Sequence, residues 1–136
     1  MIIVRAARVV RLCVVATAVI ALAGCGDDDS VSPNAPAACT GAVTVTVSSG
    51  LTPQFSWTPE CSIVALIVEE EAVDQWDVFA NGDPGFGPSV TYGTKPAGSN
   101  QTVPPRPLRA GVLYTVTLFR GPLSSPVVST VKSFTP

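Results

Sequence analysis

Residues 52–59 read Thr-Pro-Gln-Phe-Ser-Trp-Thr-Pro, and this stretch decides the fold class. Phe55 and Trp57 are two positions apart, so an extended chain places both aromatic rings on one face and the polar residues on the other. Pro53 and Pro59 bound the segment, because proline cannot donate a hydrogen bond within a sheet. The stretch predicts a half-buried β-strand whose aromatic side chains enter a core.

The same period of two recurs along the chain. Val43, Val45 and Val47 alternate with threonine, which is typical of another half-buried strand. Further strands are predicted over residues 63–68, 113–119 and 127–134. Glycine and proline separate these runs, and no amphipathic helical pattern lies between them. The pattern predicts an all-β fold, a single antiparallel β-sandwich.

The segment from residue 69 to residue 103 is less regular. Its first part is predicted to contain a strand end, a turn and a further strand, because Trp76, Val78 and Ala80 share one face of an extended chain. Residues 81–103 are rich in proline and glycine and show no clear alternation. The sequence therefore leaves the strands of this part unplaced.

Basic residues open the chain, since Arg5, Arg8 and Arg11 precede an uncharged run over residues 12–26. A positive segment followed by an apolar run of this length is typical of a signal peptide. The run has 15 residues, whereas a membrane-spanning helix needs about 20. A signal peptide is therefore favoured over the alternative, a retained transmembrane anchor.

At the end of that run, Leu22-Ala23-Gly24-Cys25 resembles the lipobox of bacterial lipoprotein signal peptides and matches it at every position. The resemblance implies that residues 1–24 are removed and that Cys25 carries a covalent lipid on its thiol. Several acyl chains on one residue hold a protein firmly at a membrane. Gly26 stands where Asp would mark inner-membrane retention, which implies the outer membrane of a bacterial cell envelope. The alternative, an ordinary secretory signal, leaves Cys25 as an unexplained thiol.

Residues 25–38 are predicted to form a flexible linker, because they contain few large apolar side chains, several prolines and three consecutive acids at 27–29. Three adjacent carboxylates without a turn glycine make a poor calcium loop, so a solvated spacer is favoured. Without residues 1–24 the chain carries five basic and ten acidic residues, a net charge of −5. Phosphate binding needs a basic patch, so nucleic acid is not expected as a partner.

Residues 39–136 resemble a fibronectin type III domain over most of their length. Residues 52–59 look like the second strand of that family, with its core Trp followed by Pro. Residues 107–116 look like its tyrosine corner, and residues 131–135 look like its exit strand. The resemblance implies that Tyr114 buries its ring and returns its hydroxyl to nearby backbone. The irregular middle of the chain and the cysteine pair depart from the family pattern.

The four cysteines divide by position. Cys13 lies in the apolar run and leaves with the signal peptide, and Cys25 is the predicted lipid attachment site. Cys39 and Cys61 remain, and an exported domain lies in a compartment where disulfides persist. Cys39 begins the predicted first strand and Cys61 follows the second, so antiparallel pairing brings them together in a disulfide. The alternative, a two-thiolate metal site, lacks further ligands.

The chain contains no His, which excludes Ser-His-Asp and Cys-His nucleophile arrangements and imidazole zinc sites. Acidic residues concentrate between Glu60 and Asp83, along one strand and its turn. They are interpreted as a solvated strand edge that resists aggregation, with calcium binding by residues 81–83 and Asp77 as the alternative. No catalytic activity is expected, no metal site is expected, and the lipid on Cys25 is the only attached group predicted.

Four aromatic residues in or beside the irregular middle are candidate ligand-stacking residues: Trp76, Phe79, Phe86 and Tyr92. Exposed aromatic rings on sandwich modules stack against sugars, whereas the simpler interpretation is that these rings pack in the core or under loops. The expected function is a membrane-anchored envelope lipoprotein that presents a non-catalytic interaction or structural module, with an envelope protein or a glycan as partner. The alternative is a carbohydrate- or small-ligand-binding module built on these four rings.

Overall fold

The computed structural model describes residues 35–136, which form two antiparallel sheets packed face to face. Its strands are β1 (Thr44–Val47), β2 (Gln54–Thr58), β3 (Ala65–Glu70), β4 (Val73–Ala80), β5 (Val90–Thr91), β6 (Ser99–Val103), β7 (Tyr114–Arg120) and β8 (Val127–Phe134). The three-stranded sheet has the order β1-β2-β5, and the five-stranded sheet has the order β6-β4-β3-β7-β8. The predicted antiparallel β-sandwich is confirmed. The predicted signal peptide, Cys25 and most of the predicted linker lie outside the described residues.

The core lies between the sheets and follows the predicted alternation. On β2, Phe55 and Trp57 are 0% and 2% exposed, while Gln54 at the start of the strand is exposed. The largest fully buried side chains come from both sheets and from the segment before β3: Trp57, Trp76, Tyr114, Phe55, Ile63, Leu66 and Leu118. Because burying one large apolar side chain is worth about 1.5–3 kcal/mol, this cluster is the main favourable contribution to folding.

The hairpin of β3 and β4 confirms the predicted strand end, turn and further strand. β3 lies at the centre of its sheet, between β4 and β7. Glu71 and Ala72 form the turn, with φ of 49° and 63°. Two consecutive positive φ values give tight hairpin turns whose twist matches the strands. Residues with a Cβ adopt this conformation at a cost of roughly 1–2 kcal/mol each.

The strands that the sequence leaves unplaced follow β4. β5 has only two residues and pairs with β2, whereas β6 pairs with β4 and forms an edge of the five-stranded sheet. Between β4 and β5 the chain passes very close to Ile63, which precedes β3. A Cβ on Gly85, whose φ is +102°, would lie 2.0 Å from the carbonyl oxygen of Ile63. Only glycine fits there. Close backbone packing, rather than an alternation of apolar and polar residues, therefore determines the sequence at this point.

Tyr114 begins β7 and forms the expected corner. Its side chain is 1% exposed, and its hydroxyl accepts a hydrogen bond from the backbone N–H of Arg109 at 3.0 Å. Its ring stacks on Phe134 with the centroids 5.8 Å apart. Burial of the ring and the bond to nearby backbone are confirmed, and together they fix residues 104–113 to the core.

A disulfide joins Cys39 to Cys61, with the Cα atoms 4.9 Å apart, which confirms the predicted pair. The two residues are 22 positions apart, and closing a loop of that size stabilises by roughly 3 kcal/mol in the chain-entropy model. The bond lies at the end of the sandwich where the described chain begins, which we call the N-terminal end. The β1–β2 turn, the β3–β4 turn and residues 104–113 lie at the opposite end, the far end.

Candidate functional site

The four candidate stacking residues do not form an exposed platform. Trp76, Phe86 and Tyr92 are 0%, 3% and 5% exposed, and Phe79 is half-buried. The alternation of side chains along β4 explains the result, because Trp76 lies on the core face and Phe79 lies on the other face of the sheet. The prediction of ligand-stacking residues is therefore wrong for three of the four rings.

The polar atoms of these buried rings have partners within the sandwich. The indole Nε1 of Trp76 donates to Oε1 of Gln101 at 2.9 Å, and the two rings of Trp76 and Tyr92 meet edge-on with centroids 5.2 Å apart. The Tyr92 hydroxyl donates to the carbonyl oxygen of Arg106 at 2.7 Å, and burial raises the pKa of that hydroxyl to about 12. These side chains therefore pack within the sandwich and do not form a surface on which a ligand could stack.

The outer face of the five-stranded sheet, turned away from the three-stranded sheet, carries both apolar and polar side chains. One row of paired residues across it consists of Asn100, Phe79, Ala65, Phe119 and Val128. The next row consists of Val103, Asp77, Ile67, Thr117 and Val131. Val128 and Val131 are 53% and 58% exposed. The exposed apolar side chains of this face are therefore those of the edge strand β8, and the buried Asp77 lies in the same row as Val131.

A bulge adds further acids to this face. The pairing of β3 with β4 shifts between Val68 and Glu69, which leaves Gln75 without a partner and places Asp74 opposite Glu69. In a regular strand Asp74 and Asp77 would lie on opposite faces, but the extra residue puts both on the outer face. We call Glu69, Asp74 and Asp77 the acidic cluster.

Asp77 is the unusual member of the acidic cluster. It is 6% exposed, and its Oδ1 has no hydrogen-bond partner among residues 35–136. Burial raises the pKa of its carboxyl to about 6, and the charge and hydrogen bond of Asp74 and the charge of Glu69 act in the same direction. A buried carboxylate oxygen without a donor costs free energy of folding. The ionised form of Asp77 is therefore disfavoured at this position.

A groove of about 390 Å³ adjoins the acidic cluster at the far end. It is lined by Glu69, Glu70, Glu71, Ala72, Val112, Leu113 and Thr115. Glu69 belongs to both the groove and the acidic cluster, so the two are continuous. Leu113 is 64% exposed, and the groove thus combines carboxylates with an accessible aliphatic side chain.

Glu70 is already paired with a cation. Its carboxylate accepts a hydrogen bond from the guanidinium of Arg109, in the only ion pair found among residues 35–136. The Arg109 side chain is 65% exposed, so solvent screens the pair and it contributes little to stability. The contact holds residues 104–113 over the far end and neutralises Glu70.

The interpretation of the acids as a solvated strand edge fits the exposed Glu71 and Asp74 but is wrong for Asp77. β4 is not an edge strand, because β6 pairs along its outer side. Asp77 consequently lies between Ile67 of β3 and Val103 of β6. No local signal in the sequence marks its burial, since the covering strand comes from the irregular middle of the chain.

The other predicted sites are remote from this surface or outside the described residues. Cys39 and Cys61 lie at the N-terminal end, and Cys25 precedes the described part. Within residues 35–136 no group of three or more His, Cys, Asp or Glu side chains is placed to hold a metal ion. The same stretch has no helix of the length and apolarity that crossing a membrane requires.

Comparisons with known proteins give no match: no protein-family model, no curated protein and no solved structure is similar to the chain. The chemistry of the site is therefore argued from its own side chains. Carboxylates form their strongest hydrogen bonds with ammonium and guanidinium groups. The acidic cluster and the adjoining groove are the best-supported candidate binding surface.

Proposed function

We propose that this chain is a lipid-anchored lipoprotein of the bacterial cell envelope that presents its β-sandwich as a non-catalytic interaction or structural module. In this proposal residues 1–24 direct export, Cys25 carries the lipid and the following residues form a tether. The complete lipobox tetrapeptide and the preceding basic and apolar segments support the proposal. Gly26 after the cysteine favours the outer membrane.

The observation that carries the proposal is the place where the described chain joins the sandwich. Ala38 forms a parallel bridge with Ser62, and the Ser62 hydroxyl donates to the carbonyl oxygen of Pro36. The disulfide follows at Cys39. A tether attached here holds the sandwich by its N-terminal end, through hydrogen bonds and a covalent link.

The same geometry directs the far end away from the anchor. Nine residues, 26–34, separate Cys25 from the described part, and nine residues span at most about 30 Å when fully extended. The N-terminal end is then the side nearer the membrane. The groove and Leu113, at the far end, are presented to other components of the envelope.

The resemblance to fibronectin type III domains belongs to this proposal. It is supported by the buried Trp57 on β2 and by the hydroxyl bond of Tyr114 to the backbone of Arg109. Such domains serve as spacing and binding modules, which agrees with a tethered sandwich. Stacking of sugars on the four aromatic residues does not form part of the proposal, because most of those rings are buried.

Metabolic labelling with radioactive palmitate in a Gram-negative host tests the anchor. We expect label in the wild-type chain, recovery in the membrane fraction, and an uncleaved precursor when the lipoprotein signal peptidase is inhibited by globomycin. Cys25→Ser should lose the label, while Cys13→Ser, a matched control within the apolar run, should keep it. Label that persists in Cys25→Ser, or no precursor under globomycin, would refute the proposal.

A further inference from the structure

We propose that Asn81 is a site of uncatalysed covalent modification, at which the backbone nitrogen of Gly82 attacks the Asn81 side-chain amide and water then converts the residue to aspartate and isoaspartate. The inference goes beyond the proposed function and does not rest on the lipid anchor, because it concerns only the loop that follows β4. It depends on the Asn-Gly sequence, on the exposure of Asn81 and on the N–H of Gly82.

The reaction needs a side-chain amide directly before an accessible backbone nitrogen. The nitrogen of Gly82 bonds to Cγ of Asn81 and loses its proton, while the side-chain nitrogen of Asn81 leaves as ammonia. The product is a succinimide ring. Water then adds to one of the two ring carbonyls and breaks its bond to the ring nitrogen. One choice gives aspartate, and the other gives isoaspartate, in which the main chain runs through the side chain. Water is the only co-reactant.

The sequence favours this reaction at one asparagine. The chain contains three asparagines, and only Asn81 precedes a glycine. Glycine has no Cβ, so no side chain obstructs the approach of its nitrogen and its backbone rotates freely. At the other two asparagines the following residue carries a side chain, which hinders ring closure.

The structure leaves the reacting groups of Asn81 and Gly82 accessible. Asn81 is exposed and lies just after Ala80, the last residue of β4. Its own N–H donates to the carbonyl oxygen of Gly98 at 2.8 Å, whereas the N–H of Gly82 donates to no backbone carbonyl oxygen among residues 35–136. The attacking nitrogen is therefore not held in a backbone hydrogen bond of the sheet.

Asn100 provides a comparison within the same fold. It is also exposed, but it lies inside β6 and pairs with Phe79, and the following Gln101 pairs with Val78. Pairing along a sheet holds both residues in the extended conformation. The nitrogen of Gln101 is thereby kept away from the Asn100 side chain, so we expect no reaction there.

The ends of the loop determine what the modification does to the sandwich. The N–H of Ala80 donates to the carbonyl oxygen of Val64 at 2.8 Å, and the N–H of Phe86 donates to that of Ile63 at 3.0 Å. Isoaspartate adds a backbone atom between these two fixed points, whereas aspartate adds only a negative charge two residues before Asp83. The isoaspartate form should therefore be less stable than the aspartate form.

The test incubates the purified full-length chain in neutral detergent, in mildly alkaline and in weakly acidic buffer. Tandem mass spectrometry of proteolytic fragments should show a gain of one mass unit at residue 81, faster in the alkaline buffer, and none at Asn100. Gly82→Ala should slow the gain at least about fivefold. Alanine suits the backbone here, because Gly82 does not adopt a positive φ, unlike Gly85. Asn81→Gln, which would need a larger ring, should show no gain.

A synthetic peptide of residues 78–84 shows how fast the same sequence reacts without the fold. No mass gain at residue 81 by the time the peptide has reacted would overturn the inference, as would equal rates at Asn81 and Asn100 or an unchanged rate in Gly82→Ala. The isoaspartate form, separated by ion exchange, should unfold at a lower urea concentration than Asn81→Asp. Equal unfolding midpoints would contradict the structural consequence.

Discussion

The two faces of the five-stranded sheet differ in whether their buried polar groups have hydrogen-bond partners. On the inner face, Nε1 of Trp76 donates to Oε1 of Gln101, and the Tyr114 hydroxyl accepts from the N–H of Arg109. On the outer face Asp77 is nearly as deeply buried, yet its Oδ1 has no partner within residues 35–136. Burial alone therefore does not ensure that a polar group has a hydrogen-bond partner within the chain.

The largest expected effect comes from Trp76→Ala, which removes a packed side chain from the inner face. The substitution removes a fully buried ring together with its edge contact to Tyr92. Large aromatic truncations of this kind lower the free energy of unfolding by about 3–5 kcal/mol. Urea unfolding followed by the fluorescence of Trp57 measures it. Val73→Ala, on the same strand but 51% exposed, is the control and should cost no more than about 0.5 kcal/mol. A loss under 1 kcal/mol for Trp76→Ala would contradict the packing described.

The sequence predicts the inner face well because its information is local. Alternation at Phe55 and Trp57, or at Trp76 and Val78, fixes which side chains share a face once a strand forms. The disulfide is predictable for a related reason. Cys39 and Cys61 flank two strands that are consecutive in sequence, and consecutive antiparallel strands bring their outer ends together.

The outer face is not predictable in the same way. Whether Asp77 is buried depends on β6, a strand of five residues that follows a segment rich in proline and glycine. Whether Asp74 shares its face depends on the unpaired Gln75, which only the register with β3 reveals. Tyr92 shows the same limit, because its burial follows from contact with Trp76 across the core. Non-local pairing, rather than residue type, decides exposure at these positions.

Asp77→Asn should raise stability, in contrast to the substitution on the inner face. The pKa of Asp77 is about 6 instead of the ordinary 3.8, which means that the folded state holds the proton more tightly than the unfolded state. Wild-type stability then falls as the pH rises from about 4 to about 6 and stays lower above that range. Asn removes this penalty, so the variant should gain about 1–2 kcal/mol over wild type at pH 8 and nearly nothing at pH 4.

Urea titrations of both chains between pH 3 and pH 8 measure that gain. Asp83→Asn, which changes the net charge equally, serves as the control and should show no such pH-dependent difference. A gain that is independent of pH, or a loss at pH 8, would show that the carboxylate of Asp77 is satisfied in solution. The contrast between the two faces would then disappear.

Tyr114→Phe tests the inner face, where the buried polar groups have hydrogen-bond partners. It removes the hydroxyl that accepts from the Arg109 N–H but keeps the ring stacked on Phe134. Loss of one such bond should lower the free energy of unfolding by about 1 kcal/mol. Amide hydrogen exchange at Arg109 should accelerate, because that N–H loses its acceptor. Unchanged exchange at Arg109 would show that the corner bond does not order this loop.

Asp74→Asn should have the smallest effect, and it tests the electrostatics of the outer face most directly. Burial is the largest cause of the raised pKa of Asp77, followed by the charge and hydrogen bond of Asp74. Removing the neighbouring charge should lower the pKa of Asp77 without returning it to 3.8, and should change stability at neutral pH by only a few tenths of a kcal/mol. The carboxyl carbon chemical shift of Asp77, followed by NMR across the same pH range, reports the pKa itself. If it does not move in Asp74→Asn, the two carboxyls do not interact, and burial alone makes Asp77 differ from the satisfied polar groups of the inner face.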